Sequence, residues 1–270
     1  MVTVFRVLTR RTVDVLLSVF TPTHHPTYLN ETYQSLLRQS YTNWEWVLVP
    51  NTAKGFVPDY IRADSRVRVI EGARNLYNIG AIKKFACDAC NGSAFIELDH
   101  DDLLMPGDSL SSIAREIANG AGFVCSDVAI FRYPKLTPHT YAASYGWESY
   151  PVEVYGRRLL ATRNFPITPR CLSEVYWAPD HVRVWSRKAY EKTGGHDEKL
   201  SVGDDHDLIC RTYLAGEPFA HTGGCHYLYR LHGTNTVHAR NREIQNQTKK
   251  NREKYTSKLI REWNKRHSHK

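Results

Sequence analysis

The sequence has no uninterrupted apolar run of about 18 residues, the length that a membrane-spanning helix needs. Arg6, Arg10 and Arg11 interrupt the apolar stretch near the N-terminus, so the pattern of a secretory signal peptide is also missing. We therefore expect no transmembrane segment. The expected location is cytoplasmic, including the peripheral surface of a membrane.

Cysteine patterns typical of metal or disulfide scaffolds are also missing. The six cysteines are scattered, and only Cys87 and Cys90 have C-x-x-C spacing, with no second pair at zinc spacing. On a helix these two thiols share a face with Phe85 and Ala86. This pattern favours buried packing residues over a zinc or redox site.

Positive charge is concentrated in one segment. Residues 239–270 contain eleven Lys or Arg and three Glu, a net charge of +8, which is the formal charge of the whole chain. The segment lacks Pro and Gly and predicts an exposed basic helix over 239–265. It suits an anionic partner, such as nucleic acid or an anionic surface. Alternatively, it docks on the domain through a narrow apolar stripe: Ile244, Tyr255, Leu259, Ile260 and Trp263.

The first half of the chain alternates strand and helix patterns, which predicts a doubly wound α/β fold. Apolar, β-branched runs cover 13–20, 44–49, 67–70 and 94–98, and helical patterns cover 28–39 and 80–91. Residues 1–12 fit either a leading strand or an arm. Ligands bind at the carboxyl ends of strands in such sheets, and the breaks at 21–26, 50–53 and 99–102 fall there.

Two acidic clusters stand out. Asp99, Asp101 and Asp102 follow an apolar run, and carboxylates at that density need a cation or a solvated turn. Their oxygen atoms suit hard divalent ions, and their position at a strand end favours a metal site over a solvated turn. A second cluster, Asp204, Asp205 and Asp207, opens a helix. Capping and the helix dipole account for one or two of these three residues.

The regular pattern disappears between 133 and 177, where aromatic residues are frequent. They are Tyr133, Tyr141, Tyr145, Trp147, Tyr150, Tyr155, Phe165, Tyr176 and Trp177. Such richness argues against disorder. The segment is either a substrate-facing region or a structural β-hairpin excursion.

Several segments together resemble family 2 glycosyltransferases of the GT-A type. The matching segments are S-V-F-T-P-T-H over 18–24, S-L-L-R-Q-S-Y over 35–41, W-E-W-V-L-V over 44–49, L-D-H-D-D over 98–102, G-G-H-D over 194–197, G-D-D-H-D-L-I-C-R over 203–211 and Y-R-L-H over 229–232. Each match alone is weak. Their order along residues 16–232 is what makes the resemblance specific.

The resemblance implies a GT-A domain over 1–238 with a doubly wound, mostly parallel central sheet. A Rossmann-like half over 13–130 would bind the nucleotide-sugar, and an irregular half over 131–238 would bind the acceptor. Residues 239–270 would form a basic helical tail. The implied activity is sugar transfer with inversion from a nucleotide-sugar to an acceptor.

The resemblance also implies roles for individual residues. Mn²⁺ or Mg²⁺ would be held by Asp99, Asp101 and His232, and Asp205 would be the general base, with Asp204 in reserve. Donor contacts would come from Pro22, Thr23, His24, Asn51, Gly80, Lys83 and Asp99. His232 could instead contact the diphosphate or be a buried core histidine, and Lys83 could be a solvated surface lysine. Asp102 could support the metal ligands or act as a cap, while Asp207 would start its helix and pair with Arg211.

Two positions depart from the family pattern. Asn51 lies in P-N-T-A where the family commonly has D-D-G-S, and His24 replaces the usual tyrosine. An asparagine amide still pairs with a base edge, so a UDP-sugar remains the favoured donor.

The acceptor is expected to be a glycan or a glycolipid, and a polyanion such as modified DNA is the alternative. Two other classes are a metal-dependent phosphohydrolase, for which no nucleophile is evident, and a non-catalytic module that binds sugar nucleotides. The presence of Asp99, Asp101 and Asp205 speaks against the module.

Overall fold

The computed structural model describes residues 14–51, 57–73, 76–132, 137–175 and 178–268. The strand or arm expected at 1–12 lies outside the described residues, as do Thr52, Ala53, Tyr133, Tyr176 and Trp177.

The first half of the chain forms the predicted parallel sheet. Its elements are β1 (Leu17–Thr23), α1 (Leu29–Leu37), β2 (Trp44–Pro50), α2 (Asp59–Arg62), β3 (Val67–Val69), α3 (Ile79–Asp88) and β4 (Ala94–Glu97). The strands lie in the order β3-β2-β1-β4 and are all parallel. Every residue of β2 is buried, as expected for a strand covered on both faces. The alternation predicted from the sequence is confirmed.

The second half extends the same sheet. Its elements are β5 (Leu103–Leu104), α4 (Ser109–Ala118), β6 (Phe123–Arg132), β7 (Thr137–His139), β8 (Ser149–Val154), β9 (Arg157–Thr162), α5 (Pro169–Glu174), β10 (Arg183–Ser186), α6 (Arg187–Lys192), α7 (Asp204–Leu214), β11 (Phe219–Leu231), α8 (Thr236–Ala239) and α9 (Asn241–His267). The full order is β3-β2-β1-β4-β10-β6-β11-β5, with β7 and β9 on β6. Strand β10 is antiparallel to both β4 and β6, whereas β6 and β11 are parallel.

The aromatic stretch is more regular than its sequence indicates. A β-hairpin formed by β8 and β9 pairs with β6, so the expectation of irregular structure is wrong for residues 149–162. Strand β8 alternates exposed and half-buried residues, and Pro151 within it obscures the pattern. The hairpin alternative is the one observed here.

The core covers both faces of the sheet. Neighbours on β1 show this, because Val19 packs in one hydrophobic cluster and Phe20 in the other. All six cysteines are buried and unpaired, and Cys87 and Cys90 lie in the same cluster as Phe20. Their interpretation as packing residues is confirmed.

The C-terminal helix belongs to this core. Tyr255 and Leu259 of α9 are buried against Ile209 and Tyr213 of α7, and Trp263 packs at the edge of that cluster. The predicted helix is therefore confirmed, and Tyr255, Leu259 and Trp263 of the predicted stripe form its docked face. Ile260 is instead 46% exposed, and Ile244 lies outside that cluster. Among the described residues, no helix combines the length and the apolarity that crossing a membrane requires.

Candidate functional site

The carboxyl ends of β1, β2 and β4 meet at one edge of the sheet. Thr23 ends β1, and its carbonyl oxygen accepts a 3.0 Å hydrogen bond from the backbone N–H of Asn51, which follows β2. The backbone N–H of Leu98, just after β4, donates a hydrogen bond to the carbonyl oxygen of Phe20 in β1. The described residues of the three breaks in the sequence therefore lie side by side, as predicted.

The first acidic cluster lies at this edge. One oxygen each from Asp99, Asp101 and Asp102 lies within 4.8 Å of the others. His232 approaches Asp101 with a 2.8 Å distance between Nε2 and Oδ2. Asp102 is fully buried and accepts hydrogen bonds from the Tyr227 hydroxyl at 2.9 Å and the Arg230 N–H at 2.7 Å. Asp102 therefore anchors the loop to β11, while Asp99 and Asp101 keep accessible oxygen atoms.

The carboxylates of the first acidic cluster are not balanced by nearby positive charges within the described part of the chain. Burial, with the nearby Glu97 charge, raises the pKa of Asp99 to about 6. Burial also raises the pKa of Asp102 well above its ordinary value, and the charges of Asp101 and Asp99 add to the effect. Burial acts in the same direction on Asp101, but the hydrogen bond from His232 brings its pKa below the ordinary value.

The residues present fit a divalent cation. Asp99, Asp101 and Asp102 offer carboxylate oxygens within 4.8 Å of one another, the first two with side chains 38% and 15% exposed, and His232 lies beside Asp101. This is a donor set of the kind that Mn²⁺ and Mg²⁺ accept. Repulsion among partly desolvated carboxylates is relieved by such an ion.

The second acidic cluster is already neutralised by side chains. Asp204 lies 3.3 Å from the Lys83 ammonium and 2.8 Å from His196 Nδ1, and Asp205 forms an ion pair with Arg183. Burial opposes ionisation of Asp205, but Arg183 and Lys83 hold its pKa well below the ordinary value. The Asp205 side chain is 21% exposed and that of Asp204 only 4%, so Asp205 is the one presented to solvent.

No carboxylate caps α7, because Gly203 occupies the N-cap position with a φ of 66°. Asp207 forms the predicted ion pair with Arg211, with 2.7 Å between its Oδ2 and Nε. The structural role predicted for Asp207 is therefore confirmed. The helix start is stabilised by ion pairs and by the Asp205 carboxylate, which accepts a 2.7 Å hydrogen bond from the His206 N–H in the first turn.

Strand β10 and the residues before it connect the two clusters. His181 Nε2 lies 3.7 Å from Asp99 Oδ2 and 3.3 Å from Arg183 Nη1. The other ring nitrogen, Nδ1, donates to Asp180 at 2.9 Å, which leaves Nε2 to accept from Arg183. Arg183 also lies 3.9 Å from Glu97. Carboxylates about a hundred positions apart in the sequence thus belong to one network.

Sequence reasoning missed Glu97, His181 and Arg183. All three are buried. The sequence feature that could have identified them is a charged or titratable residue inside or beside an apolar strand. Such residues are rarely buried without a partner. The partner was hidden because β10 inserts between β4 and β6, an arrangement that local sequence does not encode.

Lys83 and Gly80, both in α3, support the second cluster. The Lys83 ammonium is buried and lies 2.8 Å from Glu97 in addition to its contact with Asp204, so it is not a solvated surface lysine. A Cβ at Gly80 would lie 2.0 Å from the Asp197 carbonyl oxygen, and the Gly80 N–H donates to Leu200. Glycine is thus required for α3 to approach the segment that leads into α7.

Pro22, Thr23, His24 and Asn51 surround the ends of β1 and β2. The exposed His24 ring packs edge-on against His100, with 4.7 Å between centroids. Asn51 is half-buried, and its Oδ1 atom is buried without a hydrogen-bond partner among the described residues. An unmatched buried acceptor at a strand end marks a place where a ligand N–H can donate.

Helix α9 braces the start of α7. The Asn251 amide donates to the Gly203 carbonyl at 3.3 Å. Lys254 Nζ and the Tyr255 hydroxyl both donate to Asp207 Oδ1, at 2.9 and 2.5 Å. The two ends of the 203–207 turn are thereby held from the same helix.

A family model described as Glycosyl transferase family 2 matches residues 18–174, more than half of the chain. The chain belongs to glycosyltransferase family 2. The order of its motifs, from the strand-end turn through L-D-H-D-D, agrees with this membership. None of the curated proteins compared with this family 2 domain matches it.

Solved structures show the same fold. Residues 1–349 of S. aureus TarS align with a TM-score of 0.59 at 15% identity, covering 79% of this chain and 60% of that one. The complex with UDP gives a TM-score of 0.59 at 16% identity, with 80% and 60% covered. The complex with UDP-GlcNAc gives 0.59 at 15% identity, with 81% and 59% covered. The family 2 domain thus has the predicted GT-A fold and spans about 60% of the length of that part of TarS.

Proposed function

We propose that this protein transfers a sugar, with inversion, from a nucleotide-sugar to an acceptor hydroxyl. The observation that carries the proposal is the network in which Asp99, His181, Arg183 and Asp205 lie in successive contact. It combines a cation-deficient acidic cluster with a half-buried, ionised carboxylate that solvent can reach. These are the two groups that such a transfer needs on opposite sides of the sugar.

A UDP-sugar is the proposed donor. The half covering 13–130 would bind it at the strand ends formed by Pro22, Thr23, His24 and Asn51. Uracil has an N–H beside a carbonyl, and the Asn51 amide, whose Oδ1 has no partner among the described residues, can accept from that N–H. UDP and UDP-GlcNAc are bound in the S. aureus TarS complexes, which supports this choice by analogy of fold.

Asp99, Asp101 and His232 would hold the divalent cation, Mn²⁺ or Mg²⁺. When bound, the ion would neutralise the diphosphate charge that develops as the glycosidic bond breaks. The protein contributes the position of these ligands: Arg230 Nε donates to the Asp101 carbonyl at 2.6 Å, and Arg230 Nη2 to Glu31 at 2.5 Å. The resemblance assigns Lys83 to a phosphate contact. Because its buried ammonium pairs with Glu97 and Asp204, Lys83 would instead support the site by holding these two carboxylates.

Asp205 is the proposed general base. The acceptor oxygen would form a bond to the anomeric carbon while the bond from that carbon to the diphosphate oxygen breaks. The hydroxyl proton passes to Asp205 and the nucleoside diphosphate leaves. Arg183 keeps the carboxylate ionised and oriented, and the buried Asp204 supports it through Lys83.

The acceptor would be a glycan or a glycolipid bound by the half covering 131–238. The concentration of the net charge in residues 239–270 favours a polyanion as a second candidate. A phosphohydrolase or a non-catalytic module would use the same metal cluster without needing Asp205.

The test is release of UDP from UDP-sugars with Mn²⁺, together with donor binding measured by thermal shift. We expect Asp205→Asn to retain donor binding and to lose turnover by about 10²–10⁴-fold, the contribution of a general base. Asp101→Ala should lose both. The matched control is Asp88→Asn, at a carboxylate 60% exposed on α3, and it should behave as wild type.

Full turnover in Asp205→Asn would point to a phosphohydrolase. Donor binding without turnover in the wild-type protein, with every acceptor class tested, would point to a binding module. GDP- and dTDP-sugars, run in parallel, test the choice of nucleotide.

A further inference from the structure

Helix α9 carries five of its seven exposed Lys and Arg side chains on one narrow face. Lys250, Lys254, Lys258, Arg261 and Lys265 are spaced by four, four, three and four residues. At about 100° and 1.5 Å per residue, they fall within an arc of roughly 80° and along a length of roughly 22 Å. We call these five residues the basic stripe.

Most of the stripe forms no ion pair within the part of the chain that the structure describes, although Lys258 Nζ lies 6.0 Å from the centre of the Tyr255 ring. Among the described residues, Lys250, Lys258, Arg261 and Lys265 are exposed and form no ion pair, whereas Lys254 contacts Asp207. The acidic residues in this span lie elsewhere: Glu262 pairs with Arg266, and Glu253 is on another face by helical geometry.

This arrangement does not serve the stability of the helix. Like charges four residues apart repel each other and destabilise a helix. The helix is fixed on its other side, where Tyr255 and Leu259 are buried in the core. The stripe is therefore a row of cations on a fixed helix, presented to solvent at a cost to the helix, and an external anion would relieve the repulsion.

The shape of the stripe selects among anionic partners. Helices that lie in a membrane surface have a wide apolar face beside their cations. By the same helical geometry, the arc between 250 and 265 contains no apolar side chain, and the exposed Ile260 lies on a different face. A row of cations about 4.5–6 Å apart instead matches a linear chain of phosphates.

We propose that the basic stripe binds nucleic acid through its phosphate backbone, without sequence preference. Lys254 contacts Asp207 of α7, so the bound chain would run alongside the helix that begins with Asp204 and Asp205. The binding needs neither donor nor metal. The result of a DNA-binding test therefore does not depend on whether the protein transfers a sugar.

The test uses the full chain with a fluorescent 20-base-pair DNA duplex, followed by anisotropy from 50 to 200 mM salt. The variant K250Q/K258Q/K265Q removes three stripe cations. Its matched control, R242Q/K249Q/K188Q, removes three exposed cations, two on other faces of α9 and one on α6, so the net charge is the same. Circular dichroism melting confirms that both variants are folded.

We expect the stripe variant to bind at least tenfold more weakly at 50 mM salt, with the slope of log K against log salt reduced by about 2–3. The control should stay within about twofold of wild type. Equal losses in both variants, or no loss in either, would overturn the proposal. Binding of wild type to phosphatidylserine vesicles without binding to DNA would assign the stripe to a membrane surface instead.

Discussion

The two acidic clusters have the same composition and opposite environments. Residues 99–102 and 204–207 each contain three aspartates and one histidine within four positions. In the second cluster, each aspartate contacts a cationic or histidine side chain: Lys83, Arg183, His196, Arg211 or Lys254. In the first, His232 and His181 are the basic side chains within 4 Å of a carboxylate among the described residues, and Asp102 relies on backbone and hydroxyl donors.

The pKa values record this difference. The pKa values of Asp99 and Asp102 are raised, chiefly by burial, while the hydrogen bond from His232 lowers that of Asp101. Those of Asp204, Asp205 and Asp207 are all lowered because their partners outweigh burial. A local pattern of carboxylates is therefore not enough to assign chemistry. The neighbouring cations decide whether a cluster can accept a metal ion or instead provides a fixed, ionised base.

The largest effect should follow from removing the cation that the second cluster shares with Glu97. In Lys83→Met, two buried carboxylates lose their partner, and we expect the free energy of unfolding to fall by about 3–5 kcal/mol. Urea denaturation measures this. The control Lys84→Met removes the neighbouring lysine, which pairs with the exposed Asp88, and should cost less than about 1 kcal/mol. Equal losses would show that the buried network is not a source of stability.

A smaller effect should appear at low pH. The pKa of Asp207 is lowered in the folded protein, because the Tyr255, Lys254 and Arg211 hydrogen bonds outweigh burial. Its carboxylate therefore stabilises the fold above about pH 4, and this contribution is lost as the pH falls through the folded pKa. Asp207→Asn should lose about 1.5 kcal/mol at pH 7. Its stability should fall less steeply than that of wild type below pH 4, and parallel pH curves would contradict this.

Much of the fold could be predicted from the sequence because it rests on local pattern. The strand and helix alternation places Thr23, Asn51 and Asp99 at one edge, and the i, i+4 spacing gives the pair between Asp207 and Arg211. Three features could not be predicted from the sequence: the burial of Lys83, the insertion of β10 with Arg183, and the hairpin of β8 and β9. Each depends on which distant strand or charge becomes a neighbour, and residue spacing does not encode that choice.

The most direct test of the central claim is a Mn²⁺ titration, followed by electron paramagnetic resonance, in the presence of UDP. It compares wild type with Asp101→Asn and Asp205→Asn, one change in each cluster. We expect Asp205→Asn to bind Mn²⁺ with wild-type affinity and Asp101→Asn to bind it at least tenfold more weakly. Loss of Mn²⁺ binding in Asp205→Asn, or unchanged binding in Asp101→Asn, would contradict the assignment of metal binding to the first cluster and of the general base to the second.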